Sequence, residues 1–239
     1  MGKSDAGNQR VFVGVPSLVR GGCSPKILQS HNGAPGKVRL LVNVNRNRFQ
    51  CNCLGTREKT QFLESKGIKV YGNFYKTEIT MEIPALSAEV RTPLEDPTVY
   101  TIIDLGGNSA GALVAIQFEK YFVEGTYEFL DVINKNRPET STIEGAVNHF
   151  HDIEERTGLK FTGLINNTHL LRETTIEDIQ KGLEFCEELS NILKVPLLFT
   201  GCPNYLYEQL LSSKLMEKIN HQILPIHFIM RDTWLDKKL

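Results

Sequence analysis

"TIIDLGGNSAGAL", Thr101 to Leu113, sets the terms for the rest of the chain. Thr101, Ile102 and Ile103 lead into Asp104, Gly106 and Gly107 follow, and small residues open an apolar stretch. Apolar residues on consecutive positions mark a strand buried on both faces, which belongs in a parallel sheet between helices. In open sheets of that kind ligands bind beyond the carboxyl ends of the strands. A carboxylate standing there can hold magnesium, directly or through water. Gly106 and Gly107 let the backbone approach a phosphate closely. Asn108 brings a polar side chain to the same crevice, and a helix opening near Ala110 turns its N-terminal dipole toward an anion. The competing reading is structural: Asp104 caps the next turn and the glycines serve packing.

Outward from this stretch, strand-like and helix-like segments alternate. "TREKTQFLESKG" reads as a helix stopped at Gly67, and "IKVYGN" as a strand. "PALSAEVRTPL" reads as a helix opened by Pro84 and ending before Pro93. "ALVAIQFEKYFVEG" continues the Asp104 strand as a helix, and "YEFLDVIN" is the next strand. A capping box of Ser141 and Glu144 predicts a helix with Ile143, Ala146, Val147, Phe150 and Ile153 on one face. "KFTGLINN" and "VPLLFTG" are strands around an amphipathic helix from Ile176 to Lys194. "YLYEQLLSSKLMEKIN" reads as a helix and "ILPIHFIM" as a closing strand. The fold expected is α/β, three-layered, with a mainly parallel sheet flanked by helices, and no linker divides residues 1–239 into separate domains.

The first 55 residues depart from this pattern. "RVFVGV" and "KVRLLVNV" read as strands, but "PSLVRGGCSPKILQSHNGAPG" between them is too rich in Gly, Pro and Ser for a long helix. "NRNRFQCNCLG" then follows without periodicity. Such a conflict between local preference and global pattern marks a functional departure or a defect.

Composition narrows the field. The 239 residues, 41% apolar and 23% charged, are ordinary for a globular protein with a sizeable core. A net charge of −1 gives no electrostatic reason for a nucleic-acid or membrane-surface partner. The five cysteines follow no disulfide framework, and Cys51 and Cys53 lack a second pair to complete a zinc site. Free thiols in a reducing cytoplasm are expected. No segment is long and apolar enough for a membrane helix, the N-terminus lacks the apolar stretch of a signal peptide, and Ala6 spoils a myristoylation motif at Gly2.

Two further strand ends invite a ligand. Asn166 and Asn167 close "GLINN", and a carboxamide offers both a donor and an acceptor, as reading a purine edge requires. Asparagine as a turn residue is the plain alternative. Pro203, in "TGCPN", is placed to pack against a base or serves as loop punctuation.

Together, "TIIDLGGNSAGA", "VINKNRPET", "GLINNTHLLRETT", "LLFTGCP" and "LPIHFIMRDTWL" resemble bacterial ATP-binding proteins. These are of the CobQ/CobB/MinD/ParA nucleotide-binding type, within the P-loop NTPase superfamily. The resemblance spans roughly residues 56–235. It implies ATP and magnesium as ligands, with Asp104 as the Walker-B-like metal residue. It puts Asp104, Gly106, Gly107, Asn108, Asn166, Asn167 and Pro203 at the nucleotide. Asn108 stands where the family often has aspartate, and Arg137 lies in a stretch like the family's "NxxRPxT". A homodimer and an unidentified protein partner also fit proteins of this type, although the sequence shows no interface.

The phosphate loop of that family is missing. It should follow the first strand, in the form G-x-x-G-x-G-K-T, and open a helix. Here "VFVG" is followed by "VPSLVRGGCSPK", and Gly14 is the one candidate remnant. No Gly-Lys-Thr or Gly-Lys-Ser follows that strand. "GAPGKV", Gly33 to Val38, is a decoy, because Val38 offers no hydroxyl to a metal and Lys37 leads a strand. Where the family has "VDLDIVNP" this chain has "VNVNRNRF", and Asn43 and Asn45 supply neither charge nor a base. Phosphoryl transfer relies on positioning and charge neutralisation, each such group being worth about 2–4 kcal/mol. Weak or lost hydrolysis is therefore expected, and whether the chain is an ATPase stays open. The block 15–56 reads either as a true divergence or as a shifted reading frame, which the coding DNA distinguishes.

Other chemistries find less support. No G-x-G-x-x-G follows a predicted strand, which disfavours a Rossmann-like oxidoreductase. A non-catalytic scaffold of the same fold is the main alternative. Gly107-Asn108-Ser109-Ala110-Gly111 spells the G-x-S-x-G of a nucleophile elbow, so a serine hydrolase using Ser109 is a further one. His149 and His151 fall on the polar sides of their helix and are expected to be solvated. His169, His221 and His227 show no metal spacing.

Overall fold

The apolar runs become strands in the computed structural model, which describes residues 11–16, 39–43, 60–72, 88–96 and 99–227. The strands are β1 (Val11–Pro16), β2 (Arg39–Asn43), β3 (Ile68–Gly72), β4 (Tyr100–Asp104), β5 (Tyr127–Ile133), β6 (Gly163–Asn166), β7 (Leu197–Pro203) and β8 (Gln222–Ile226). They form one sheet in the order β3-β2-β4-β1-β5-β6-β7-β8, parallel at each junction. The helices are α1 (Thr60–Ser65), α2 (Thr92–Glu95), α3 (Ser109–Ala112), α4 (Ile143–Thr157), α5 (Ile176–Leu193) and α6 (Tyr207–Leu211). The α/β class and the parallel sheet are as the sequence reading expects.

Side chains alternate across the sheet and divide its core by face. Ile103, Phe129, Ile133 and Leu164 pack with α2, α4 and α5 through Leu94, Phe150 and Phe185. Ile102, Leu130, Val132 and Ile165 point the other way and pack with Leu63 of α1. This follows from strand order. The chain steps in one direction from β1 through β2 to β3, then in the opposite direction from β3 through β4 to β8. Parallel crossovers are right-handed, so opposite steps put their helices on opposite faces.

Local chemistry sets the helix ends. Thr175 caps α5 through a reciprocal box with Asp178, and Gly158 ends α4 in the left-handed region at φ 71°. Three expectations need correction. Thr142, not Ser141, caps α4, because Ser141 Oγ donates instead to the Pro138 carbonyl. Pro93 lies inside α2, in the first turn, where its missing N–H costs no helical bond. The stretch expected as one helix after Asp104 is α3 followed by a 3₁₀ segment, Leu113–Tyr121. Ala112, Ala115 and Phe118 recur every third residue and are all buried, the period at which a 3₁₀ turn aligns one face.

The decoy loop at residues 33–38, Asn45, Cys51 and Cys53 lie outside the described residues, as does most of the block 15–56. Among the described residues, Cys186 and Cys202 are free and buried. No described helix is long and apolar enough to cross a membrane.

Candidate functional site

The reversal of strand order falls between β4 and β1. The chain leaves these neighbours in opposite directions along the sheet, the arrangement that opens a crevice at the carboxyl edge. Asp104 is the last residue of β4, and its register partners are Gly14 on β1 and Asn43 on β2. The acid singled out in the sequence therefore stands at the switch point, flanked by the candidate loop remnant and by an asparagine where an acidic residue is expected. Asp104 is only 8% exposed.

Gly14 is a ladder residue inside β1, which runs on to Pro16. As the first glycine of a phosphate loop it should lie past the strand, so that expectation is corrected. The chain's one Gly-Lys-Ser, Gly2 to Ser4, precedes β1 and is outside the described residues.

The segment after Asp104 is tightly built. A β-carbon on Gly106 would lie 2.6 Å from the Gly111 α-carbon, so the strand-to-helix turn closes only with glycine there. Gly107 is buried beside it. Asn108 caps α3, its Oδ1 accepting from the Gly111 N–H at 2.8 Å. Packing and capping thus engage Gly106 and Asn108 whether or not a phosphate approaches.

Ser109 is the first residue of α3, and its hydroxyl acts on the Asp152 carboxylate of α4. That hydroxyl is the chief cause holding the Asp152 carboxyl below its ordinary range, with Arg156 Nε donating to the same group at 2.9 Å. A nucleophile elbow places its serine on a strained turn beside a histidine base. Among the described residues the non-glycine positions with positive φ are Leu171 and Lys194, so Ser109 carries no such strain. The strained turn of a nucleophile elbow is not formed at Ser109. His149, expected to be solvated, has a buried Nε2, and burial lowers its pKa against the opposing charges of Glu139 and Asp152.

Asn166 ends β6 with Asn167 next to it, and Pro203 ends the neighbouring strand β7, three residues beyond Thr200. Asn166 pairs in register with Thr200, and the Asn167 Oδ1 lies 3.0 Å from where a Gly201 β-carbon would stand. All three are buried. The Asn166 Oδ1 accepts from the Thr168 N–H at 3.1 Å, whereas its buried Nδ2 has no hydrogen-bond partner. The loop beyond is knitted to the end of β5. The Lys135 N–H donates to Thr168 Oγ1, the Asn136 N–H to Asn134 Oδ1, and Thr140 Oγ1 to the Asn134 carbonyl. Sequence reasoning missed Asn134 and Thr168; asparagine and threonine at strand ends beside Asn166 were the available signal.

Asp104, Gly14, Leu130 and Gly163 share one level across β4, β1, β5 and β6. Asn166 is three strands away and three residues further along. Those steps amount to about 14 Å across the sheet and about 10 Å along it. Asp104 and the asparagines therefore do not meet in one cluster; they mark the two ends of an extended edge.

One buried acid lies outside this edge. Asp131, in the middle of β5, is 0% exposed and neither oxygen has a well-formed hydrogen bond. Burial pushes its carboxyl up to about 8, and the Val132 amide offsets only part of this. Cys186 of α5 lies near it and is itself raised, chiefly by burial and then by Asp131.

Comparison with protein-family models finds no match, and neither does comparison with curated protein sequences.

Proposed function

We propose that the chain binds a purine nucleoside triphosphate with magnesium along the carboxyl edge of its sheet, in a fold of the P-loop NTPase kind. The observation that carries this reading is the place of Asp104, the last residue of β4, beside β1 at the strand-order reversal. The polyphosphate and metal belong at Asp104, and the base at Asn166, Asn167 and Pro203. An extended nucleotide spans that separation, and a compact ligand does not.

Magnesium fits the donor set in one form. Among the described residues no group of three His, Cys, Asp or Glu is assembled to hold a metal. Magnesium is commonly bound by one or two carboxylates, with phosphate oxygens and water filling the rest of its octahedron. Asp104 would be the protein's share, and the ion would neutralise phosphate charge. With asparagine at position 43 and no Gly-Lys-Thr after β1, hydrolysis is weak or absent. The family implied is the CobQ/CobB/MinD/ParA type, and the ligand it implies is ATP.

Titration of the purified chain with nucleotide and magnesium, followed by thermal melting, tests the reading. A ligand at one hundred times its Kd stabilises by about 2.7 kcal/mol. No shift with any purine triphosphate at millimolar concentration rejects it.

A scaffold that binds a protein partner is the second reading. Leu170, Leu171 and Tyr205 favour it, since all three are exposed and the Tyr205 hydroxyl ties their segments together by donating to the Thr174 carbonyl at 2.9 Å.

A further inference from the structure

The Asn166 carboxamide has one free side, and its identity is decided by its neighbour. The Thr168 backbone N–H only donates, so the atom 3.1 Å from it is the oxygen Oδ1. A 180° turn of the amide would set two donors against each other. Gly182 of α5 presses on the same spot: a β-carbon there would lie 2.6 Å from Oδ1 and 2.4 Å from Thr168 Oγ1. Thr168 is held in turn by the Lys135 N–H. The amide is thus held with its oxygen engaged by Thr168 and hemmed in at Gly182, and with its two Nδ2 hydrogens unused, at a residue 1% exposed. An unmet buried donor costs free energy that a ligand acceptor returns.

We infer that Asn166 reads its ligand as a donor only and so selects a guanine or hypoxanthine base over adenine. This rests on the purine-nucleotide reading above and departs from the ATP that the family resemblance implies. Guanine presents O6 and N7, two adjacent acceptors, to the two hydrogens of Nδ2. Adenine presents N7 beside the N6 amino group, which would face Nδ2 donor to donor. The sequence alone allows the amide to serve either base. The hydrogen bond to Thr168 removes that freedom.

Competition among GTP, ITP and ATP for the magnesium-loaded wild-type chain tests the inference by displacement of a fluorescent nucleotide. ITP keeps O6 and N7 and lacks the guanine 2-amino group. GTP and ITP should bind alike, and on the order of tenfold more tightly than ATP. ATP binding as tightly as GTP, or ITP falling to the level of ATP, overturns the inference while the nucleotide reading stands. Binding of none of the three overturns both. The variant Asn166→Asp replaces the free donor with an acceptor and should reverse the order, ATP over GTP. If that variant fails to fold, the ITP comparison on the wild type still decides the matter.

Discussion

Gly14 of β1 and Asp104 of β4 are register partners at the point where the strand order reverses. One residue has no side chain and the other a carboxyl group, so the acidic function at this edge comes from β4. If Asp104 is the protein's ligand to magnesium, Asp104→Asn should abolish the magnesium-dependent part of nucleotide stabilisation. The magnesium-independent part should survive. Melting curves with and without EDTA measure the two parts, and an unchanged magnesium effect removes Asp104 from the site.

Gly182 sits mid-helix, where alanine normally gains about 1 kcal/mol. Here the added methyl meets Thr168 and Asn166 at 2.4–2.6 Å. Overpacking of that kind costs about 1–3 kcal/mol, so Gly182→Ala is expected to destabilise despite the better propensity. Denaturant unfolding gives the sign. A stabilised variant would show that the loop after β6 yields freely and does not hold the Asn166 amide.

Asp131 predicts a pH dependence. Its folded-state pKa is raised from 3.8 to about 8, so the folded chain keeps a proton that the unfolded chain has lost across that window. This contribution to stability is full below about pH 4 and falls as pH rises, by about 1.4 kcal/mol per pH unit at most. It levels off above pH 8. Asp131→Val should remove this slope and add about 1–3 kcal/mol at neutral pH by deleting an unmet buried polar group. Urea melts of both proteins from pH 5 to pH 9 provide the comparison, and parallel curves count against a protonated Asp131.

Lys194 caps α5 in the left-handed region at φ 58°, where a β-carbon is unfavourable. The equivalent position of α4 holds Gly158. Lys194→Gly should stabilise by about 1 kcal/mol, read as a rise in the urea midpoint with an unchanged m-value. A fall would mean that the lysine side chain contributes contacts worth more than the backbone strain.

Ser109→Ala should leave any ester hydrolysis by the protein unchanged, because Ser109 lacks the strained backbone of a nucleophile elbow. An assay with a p-nitrophenyl ester measures this directly. Activity that disappears with the hydroxyl would restore the hydrolase reading.

Consecutive apolar residues in "TIID" and "PLLFT" determined that the sheet is parallel and covered on both faces. That signal is local and survives without knowledge of the fold. The 3.6-residue period likewise made α4 and α5 legible, although the period of three that turns Leu113–Tyr121 into a 3₁₀ segment went unread. Asp104, Asn166 and Pro203 were legible as strand ends, with Asn167 next to one, and strand ends are where such sheets bind ligands. What only the tertiary structure decided is non-local. Strand order set Gly14 against Asp104, and the contact with Thr168 under Gly182 fixed which end of Asn166 is free. It also left Asp131 buried without a good partner. Each depends on which distant segment lies alongside, and a pattern of neighbours along the chain carries no record of neighbours across the sheet.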